Sequence, residues 1–403
     1  MNIRLFLKNI AENIPYSIGK WTAHIPYNLR LGSEYTKFKK LIKYYESAPE
    51  EEQYNYTIKH LNSIVQYAQK NFSFYQKLYG TSLVKIETLK DFEKLPIITK
   101  SQVREFTKEV KGPILLNTGG STGGPLPFYV DKNVWAREWA HMHAVWGKKG
   151  YKQTDLMITM MGQNIGLKPF QYNAVHNELL LNPYVPIIKV LPDILKMFRD
   201  YPIKYFQGYP SNIYNFFKEL ELLIDKKQQE KISKKIKSLF LSSEYPMPYM
   251  MEYLKDIWNL DSYISWYGLS EMCILAHDEN SDSSYIPFAT YGYSEDVNDV
   301  LIGTSFHNYD MPLIRYSTDD MIDGYKNSFG IMKFFKITRG RSGDFMIDKL
   351  GRKLSLTFAL GRHHKIYNIA DFIQFFQEEE GKATFYITFK NKSLCFLSKS
   401  CSS

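Results

Sequence analysis

The sequence predicts an α/β protein, with a large N-terminal domain of mostly parallel sheets flanked by helices and a smaller β subdomain. Short apolar runs alternate with helical segments between residues 156 and 266, which is the spacing of βα units in a parallel sheet. After Glu271 the chain is polar and turn-rich through Asn298 and then returns to runs of strand composition. The 403 residues, 44% of them hydrophobic, suffice for one large core or about two to three ordinary ones.

Residues 1 to 100 are predicted to be mostly helical. Apolar residues recur there at intervals of three and four, as on one face of a helix; they include Leu61, Ile64, Val65, Ala68 and Phe72. Leu95-Pro96 breaks this pattern, and Ser101 is predicted to cap a short helix that runs through Val110. We interpret this region as scaffold.

A glycine-rich stretch, LNTGGSTGGPL, occupies residues 116–126. Its glycines allow the backbone to approach a ligand closely, and successive N–H groups with neighbouring hydroxyls can surround a phosphate. The residues concerned are Thr118, Gly119, Gly120, Ser121, Thr122 and Gly123. No lysine follows Gly123 or Gly124, so the stretch does not match a Walker A loop. It is predicted to be a phosphate-binding loop between two strands, the second at Leu126–Val130, with a flexible surface loop as the alternative.

The segment after Asp131 is predicted to be a helix capped by that residue. One face of the helix carries Trp135, Trp139, Met142 and Trp146 at helical spacing. An aromatic stripe of this kind is more typical of a core than of a ligand site.

Five apolar runs in the central region are predicted to be strands: Leu156–Met161, Ile187–Leu191, Tyr205–Phe206, Leu239–Ser242 and Ser262–Trp266. Ligands of open parallel sheets bind beyond the carboxyl ends of the strands. Two turns, Gln207–Ser211 and Ser242–Pro246, lie just after such ends. From the residues alone, a plain strand-to-helix connection and a ligand contact are equally good interpretations of these turns.

The β subdomain is predicted to contain three further strands, Leu301–Phe306, Leu313–Tyr316 and Ile331–Ile337. Two carboxylates, Asp319 and Asp320, come just past the second of them. A carboxylate at that place can accept both hydroxyls of a sugar diol.

Composition narrows the classes of partner. Cys273, Cys395 and Cys401 have neither metal-ligand nor disulfide-framework spacing, which favours a reducing compartment and argues against structural zinc. The formal charge of +9 is compatible with nucleic acid, an anionic membrane surface or an anionic substrate. The lysines are scattered, and the dense run Lys226–Lys237 is punctuated by Gln229 and Glu230, as on a solvated helix face. We therefore expect no nucleic-acid partner.

The N-terminus indicates a cytoplasmic protein. Its apolar run is broken by Lys8 before signal-peptide length, and no stretch approaches the roughly 18 apolar residues of a membrane span. An amphipathic N-terminal helix with Arg4, Lys8 and Lys20 is predicted to pack on its own domain, with contact to a membrane surface as the alternative.

Four motifs in order resemble those of the adenylate-forming superfamily of acyl-CoA synthetases, adenylation domains and luciferases. The glycine-rich loop resembles its phosphate-binding signature, and Tyr267–Glu271 (YGLSE) resembles Y-G-x-[ST]-E in the form typical of the phenylacetate-CoA ligase branch. Tyr316–Asp320 (YSTDD) resembles Y-R-T-G-D, and Gly340–Asp344 (GRSGD) resembles the G-R-x-x-D hinge motif. Within that branch the chain looks most like the CapK-like proteins of capsular polysaccharide biosynthesis, over most of its length.

The resemblance implies a site for ATP and Mg²⁺. The loop residues named above would hold the β and γ phosphates, with Thr118 and Ser121 acting catalytically. Glu271 would be catalytic and the Mg²⁺ ligand. The implied nucleotide-binding residues beyond the loop are Ser243, Glu244, Tyr267, Gly268, Ser270, Asp320 and Arg341.

Within that set, the resemblance gives several residues a more specific place. Ser243 and Glu244 would lie on the adenine side, in a loop often written G-[AG]-E, and Tyr267 near the adenine or acyl group. Asp320 would accept the ribose hydroxyls; Asp319 stands where the family usually has glycine. The helix after Asp131 and the segment beyond it would help to shape an acyl pocket, with His143 as a candidate lining residue.

The resemblance also implies a domain division. Residues 1–338 would form the large AMP-binding domain, 339–344 the hinge about Asp344, and 345–403 a short, incomplete α+β C-terminal domain. The family's C-terminal lysine, usually in a T-x-x-G-K context, has no match after Asp344.

The function expected from the resemblance is ATP-dependent activation of a carboxylic acid as an acyl or aminoacyl adenylate. The acceptor would be coenzyme A, a carrier-protein thiol or an amine on a sugar precursor. The alternative is a nucleotide-binding or structural homologue impaired in catalysis by its short C-terminus.

Overall fold

The structure, a computed structural model, describes residues 14–118, 125–163, 165–339, 345–351, 353–355, 370–389 and 394–397. Among these residues, no helix has both the length and the apolarity that a membrane span requires.

The helices of the described residues, in chain order, are α1 (Tyr16–Gly19), a 3₁₀ helix (Lys20–His24), α2 (Tyr27–Leu31), α3 (Ser33–Tyr45), α4 (Glu50–Asn71), α5 (Ser73–Tyr79), α6 (Leu89–Glu93), α7 (Lys100–Glu109), α8 (Val134–Gly147), α9 (Ile187–Asp200), α10 (Pro210–Glu221), α11 (Lys226–Ser233) and α12 (Pro248–Trp258).

The strands are β1 (Ile114–Asn117), β2 (Pro127–Val130), β3 (Leu156–Met160), β4 (Phe170–Asn173), β5 (Glu178–Leu181), β6 (Ile203–Gly208), β7 (Ser238–Ser242), β8 (Tyr263–Gly268), β9 (Leu275–Asp278), β10 (Ile286–Pro287), β11 (Gly292–Val297), β12 (Val300–Ser305), β13 (Tyr316–Lys326), β14 (Met332–Arg339), β15 (Phe345–Ile347), β16 (Lys353–Ser355), β17 (Ala370–Glu379), β18 (Lys382–Phe389) and β19 (Leu394–Leu397).

The chain divides into two compact units. Unit one comprises Met1–Tyr44, Trp135–Tyr267 and Ala276–Tyr285, and unit two comprises Tyr45–Val134, Gly268–Leu275 and Ile286–Ser403. Each unit therefore contains several separate stretches of the sequence.

Unit one is built on a largely parallel sheet. Strands β8, β7, β6, β3 and β5 are neighbours in that order and run parallel, and β4 pairs antiparallel with β5 at the end of the row. Helices α9 to α12 alternate with these strands, and their apolar faces pack on the sheet. Phe206, Phe217, Leu239 and Trp258 are among the fully buried side chains of this core.

Unit two contains the helices α4 to α7 and antiparallel β structure. Strands β1 and β2 form a hairpin, and β11 to β14 form a four-stranded antiparallel sheet in sequence order. Strands β15 and β16 make a second hairpin, and β17 to β19 a three-stranded antiparallel sheet. The predicted α/β class, with a mostly parallel sheet and a smaller β part, is confirmed.

Two strand predictions are wrong. Ile187–Leu191 is the first part of helix α9, which Pro186 introduces and in which Val190 departs from helical geometry just before Pro192. The apolar, β-branched run had strand composition, but Pro192 accounts for the break in an otherwise helical segment. Leu313–Arg315 is irregular, with Arg315 at φ +51°, and β13 begins only at Tyr316.

Candidate functional site

Four parallel strands of unit one end at a common edge. The register pairs Met160 of β3 with Gly208 of β6, Gly208 with Leu241 of β7, and Ser242 with Trp266 of β8. The turns predicted at Gln207–Ser211 and Ser242–Pro246 leave the sheet at this edge, and Tyr267 is the last residue but one of β8. This is the edge at which parallel sheets bind ligands.

The two predicted turns are joined by a hydrogen bond. The backbone N–H of Ser211, in the first turn of α10, donates to Glu244 Oε2 at 3.2 Å. A carboxylate is favoured there because the first N–H groups of a helix have no intrahelical acceptor and carry partial positive charge. Ser243 has φ +65°, in the left-handed region that favours glycine. The backbone thus keeps a glycine-type turn although the residue is serine.

Polar atoms without protein partners lie just after the carboxyl ends of β3 and β6. Gln163 Oε1, Ser211 Oγ and Asn212 Nδ2 are buried and form no hydrogen bond. Buried polar groups are normally paired, so these atoms are available to a polar ligand. Gln163 and Asn212 are in none of the motifs that the sequence singles out. The available signal was their position, within three or four residues of a strand end.

In unit two, Glu271 lies in a tight turn at the end of the YGLSE motif. Met272 N–H donates to Leu269 O at 3.0 Å, and Met272 has φ +56°. The Glu271 side chain is buried, and Tyr316 Oη donates to its Oε1 at 2.6 Å. Two of the four motifs singled out in the sequence are therefore in direct contact. Gly268 and Ser270 are exposed on the same segment.

The chain directly after Glu271 is tightly packed. Cys273 is fully buried, and burial, with a smaller contribution from the Glu271 charge, raises the pKa of its thiol well above the ordinary value. A Cβ added to Gly292 would lie 2.2 Å from Cys273 O, and one added to Gly303 would lie 2.8 Å from Cys273 Sγ. Only glycine allows β11 and β12 to approach this segment so closely.

Asp319 and Asp320 lie on a β-bulge in the middle of β13, not beyond a strand as predicted. The β12–β13 register passes from Ile302 opposite Ser317 to Val300 opposite Met321, so Leu301 faces three residues. Such bulges re-aim side chains and are common next to active sites.

The bulge places the two adjacent aspartates in different environments, one buried and one exposed. Thr318 Oγ1 donates to Leu301 O at 2.8 Å and accepts from Asp320 N–H at 3.1 Å. Asp320 is buried. Asp319 is exposed, has φ +63° and pairs with Lys100 Nζ at 2.8 Å. Asp319 therefore has a glycine-type conformation although it is not glycine.

The glycine-rich loop is closed at its base. Thr118 N–H donates to Leu126 O at 3.0 Å, and Leu126 N–H donates to Thr118 Oγ1 at 3.0 Å. Strands β1 and β2 extend this pairing from Asn117 and Pro127 outward, as predicted. Gly119, Gly120, Ser121, Thr122 and Gly123 lie outside the described residues, as do Arg341 and Asp344.

His143 lies in an aromatic cluster of unit one. Tyr35 Oη is 2.7 Å from its Nδ1, and the ring of Tyr27 meets it edge-on at 4.5 Å between centroids. Burial lowers the pKa of His143 to about 3, so the imidazole is neutral. Of the predicted aromatic stripe, Trp146 is buried whereas Trp135 is exposed.

Among the described residues, no group of three or more His, Cys, Asp and Glu side chains forms a metal cage. Mg²⁺ is usually bound by one or two carboxylates together with water and substrate phosphates. Glu271, a single buried carboxylate on a rigid turn, fits that mode of binding.

Comparison with solved structures gives the fold relationship. A structure of 2-hydroxyisobutyryl-CoA ligase in complex with 2-HIB-AMP and CoA, in the thioesterification state, aligns with a TM-score of 0.57 at 16% identity, covering 86% of this chain and 80% of the ligase. An open conformation of that ligase, also with 2-HIB-AMP and CoA, gives 0.52 at 16% identity over 74% of this chain and 77% of the other. A postadenylation state with R3-HIB-AMP gives 0.51 at 16% identity over 82% and 77%. The chain shares the overall fold of this acid-CoA ligase. No protein-family profile matches the sequence, and no curated protein does so significantly.

Proposed function

We propose that the protein activates a carboxylic acid with ATP as an acyl or aminoacyl adenylate and transfers the acyl group to a nucleophile. The proposal combines the fold shared with a ligase whose structures hold an acyl-AMP and CoA with the order of the four motifs. The observation that carries it is the 2.6 Å hydrogen bond from Tyr316 to Glu271. This bond holds the acidic side chain of the YGLSE motif against the tyrosine of the YSTDD motif.

The reaction has two steps. A carboxylate oxygen of the acid attacks the α-phosphorus of ATP, and the bond from that phosphorus to the oxygen bridging to the β-phosphate breaks, releasing pyrophosphate. A thiol or amine then attacks the acyl carbon and loses its proton, and AMP leaves. The acceptors consistent with the proposal are coenzyme A, a carrier-protein thiol and a sugar-precursor amine.

In this proposal the main task of the protein is to hold charged groups in place around the phosphates of ATP. Bound Mg²⁺ would neutralise charge on the phosphates, and Glu271 is the side chain that would hold it. The Tyr316 hydroxyl fixes the Glu271 carboxylate, and Ser270 follows Leu269 on the same turn. Because such sites work by preorganised electrostatics, small displacements of Glu271 would be costly.

The remaining residues have binding roles in the proposal. Thr118 and the loop through Gly123 would hold phosphates, and Asp320 on its bulge would accept the ribose hydroxyls. Ser243 and Glu244 would lie on the adenine side, and Tyr267 near the adenine or acyl group. Gly268 and Ser270 would bind the nucleotide, as would Arg341 of the hinge motif. A role in surface polysaccharide biosynthesis, on a phenylacetate-CoA ligase-like scaffold, is the proposed biological setting.

Carboxylate-dependent exchange of pyrophosphate into ATP tests the first step. A panel of carboxylic acids is screened with Mg²⁺, and active acids are repeated with Glu271→Gln and Ser121→Ala. We expect Glu271→Gln to lower exchange about a hundredfold or more. Asp296→Asn is the matched control, because Asp296 is another hydrogen-bonded carboxylate of unit two; it should stay within about threefold of the wild type.

The outcomes separate the functions. Exchange that depends on an acid and on Glu271 supports the ligase, and product analysis with CoA or an amine then identifies the acceptor. ATP binding without exchange for any acid would favour the catalytically impaired nucleotide-binding homologue. Exchange unaffected by Glu271→Gln would overturn the role given to that residue.

A further inference from the structure

A row of apolar side chains is exposed along the N-terminal helical segment of unit one. Ile18, Trp21, Ile25 and Leu29 are 63%, 66%, 45% and 74% exposed. The segment is not one continuous helix, because Ile25 is extended and Pro26 precedes a new helix; the four side chains are grouped by their exposure and by their closeness in sequence. We call these four residues the apolar row. Exposed contiguous apolar groups of this kind mark interaction surfaces.

The opposite side of the same segment fixes it to unit one. Ala23 and Tyr27 are buried, and a Cβ added to Gly19 would lie 2.5 Å from Tyr172. Thr22 Oγ1 lies within hydrogen-bonding distance of Ala174 O at 2.7 Å, and Arg30 Nη1 donates to Val175 O at 2.8 Å. The segment is therefore held through its inward face, and the apolar row is presented outward on a firm support.

The stretch of sequence that carries the apolar row is strongly basic. Residues 14–45 contain six Lys or Arg and one acidic residue, a formal charge of +5 out of +9 for the whole chain. The single acid, Glu34, pairs with Lys37 at 3.0 Å. The exposed lysines of this stretch are Lys20, Lys37, Lys39, Lys40 and Lys43. More than half of the net charge thus falls on about a twelfth of the sequence.

A groove in the surface lies beside the apolar row. It has a volume of about 760 Å³ and is lined by Asn28, Ser33, Thr36, Lys37, Lys40, Leu41 and Tyr44. Asn28 directly precedes Leu29 of the apolar row. The groove offers two ammonium groups together with hydroxyls and an amide, which is a donor set suited to anionic headgroups.

We propose that this surface docks unit one on an anionic lipid membrane, independently of the proposed adenylation chemistry. The apolar row would enter the headgroup and acyl boundary, where tryptophan is favoured, and the lysines would bind anionic headgroups. Lys20 Nζ lies 5.6 Å from the Trp21 ring centroid, so charge and ring face the same region. A protein partner fits less well, because lysine is depleted at protein interfaces.

Sedimentation with vesicles tests the proposal on the full-length chain. Phosphatidylcholine vesicles with and without phosphatidylglycerol are titrated at low and physiological salt. We expect binding to the anionic vesicles, weakened by salt and much weaker on pure phosphatidylcholine. No binding to anionic vesicles, or equal binding to both, would overturn the proposal.

Paired variants separate the two components of the surface. Trp21→Ser with Leu29→Ser should weaken binding by at least about tenfold. Lys37→Gln with Lys40→Gln should weaken it by about fivefold for each lysine and reduce the salt dependence. All four side chains are exposed or line the surface groove, so we expect thermal melts to be unchanged.

Matched controls lie elsewhere on unit one. Leu222 is 82% exposed, and Lys226 and Lys227 are exposed on α11. Leu222→Ser, and the pair Lys226→Gln with Lys227→Gln, therefore make the same chemical changes outside the proposed membrane-docking surface. They should leave vesicle binding within about twofold. Equal loss in these controls would overturn the assignment. Dimerisation abolished by Trp21→Ser with Leu29→Ser, with vesicle binding unchanged, would assign the apolar row to a second copy instead.

Discussion

The Tyr316 hydroxyl and the Glu271 carboxylate are joined by a 2.6 Å hydrogen bond between fully buried and nearly fully buried side chains. The bond links the first residue of β13 to the turn that ends the YGLSE motif. An O–H donor to a carboxylate is among the stronger hydrogen bonds of proteins. The orientation of Glu271 is therefore set by a residue 45 positions later in the chain.

Tyr316→Phe should impair function more than stability alone predicts. The variant loses the donor to a buried carboxylate, which costs about 1.5 to 3 kcal/mol in unfolding free energy, and we expect pyrophosphate exchange to fall at least about tenfold. Tyr75→Phe is the control, because buried Tyr75 donates to Pro312 O in the same unit. Equal loss of exchange in both variants would show that Tyr316 acts only through stability.

Asp319→Gly should be more stable than Asp319→Ala by about 1 kcal/mol. Both variants lose the exposed ion pair with Lys100, and they differ in how readily they adopt φ +63°. The difference in unfolding free energy, measured by denaturant titration, therefore isolates the backbone term. Equal stability of the two would mean that the left-handed conformation is not maintained at this position.

Arg315 and Glu295 form a buried ion pair whose disruption should be among the most damaging substitutions in unit two. Arg315 Nη2 lies 3.0 Å from Glu295 Oε1, Arg315 Nε donates to Oε2 at 3.2 Å, and Arg315 also donates to the carbonyls of Glu93 and Leu95. Arg315→Met leaves a buried carboxylate unpaired and should cost about 3 to 5 kcal/mol.

The double variant Arg315→Met with Glu295→Gln tests this account of Arg315. Because the unpaired charge is removed, it should lose less unfolding free energy than the sum of the single variants. Additive losses would place the cost in the contacts to Glu93 and Leu95 rather than in the ion pair.

His143 should contribute to acid unfolding. Burial lowers its pKa from 6.5 to about 3 in the folded chain, so between these values the unfolded chain binds more protons. Its contribution to stability is full above about pH 6.5 and is lost as pH falls toward 3, by about 1.4 kcal/mol per pH unit. His143→Gln, which keeps an acceptor for Tyr35, should reduce the slope of unfolding free energy against pH by one proton.

Local sequence signals predicted much of the fold. The spacing of Leu61, Ile64, Val65 and Ala68 correctly indicated the buried face of α4, and the apolar runs before Gly208, Ser243 and Tyr267 correctly marked parallel strands. Strands β4 and β5 were not predicted, because each has only four residues and no clear turn signal marks its ends. Thr99 caps α7 instead of Ser101, with Gln102 completing the capping box; the two candidates differ by two positions, and only the side-chain geometry decides between them.

The contact between Tyr316 and Glu271 was not predictable from the sequence, although both residues belong to motifs that the sequence singles out. The motifs identified Glu271 and Tyr316, yet their hydrogen bond depends on how β13 packs, which no local pattern encodes. At Asp319 and Ser243 it is the backbone conformation, not a contact, that the residue type fails to indicate. Neither is glycine, yet both have positive φ, so their backbone conformation is one that the residue type does not indicate. That the glycine-rich loop binds the phosphates and Glu271 the Mg²⁺ of one ATP stays a prediction.

Cys273 provides an intrinsic reporter of motion next to Glu271. Its thiol is enclosed by glycine-containing strands and is resistant to ionisation, so alkylating reagents reach it only when this part of unit two opens. In a chain with Cys395 and Cys401 replaced by serine, the labelling rate of this one thiol measures the frequency of that opening. Slower labelling with ATP present would then register nucleotide engagement two residues from the acidic side chain, with no added dye or turnover required.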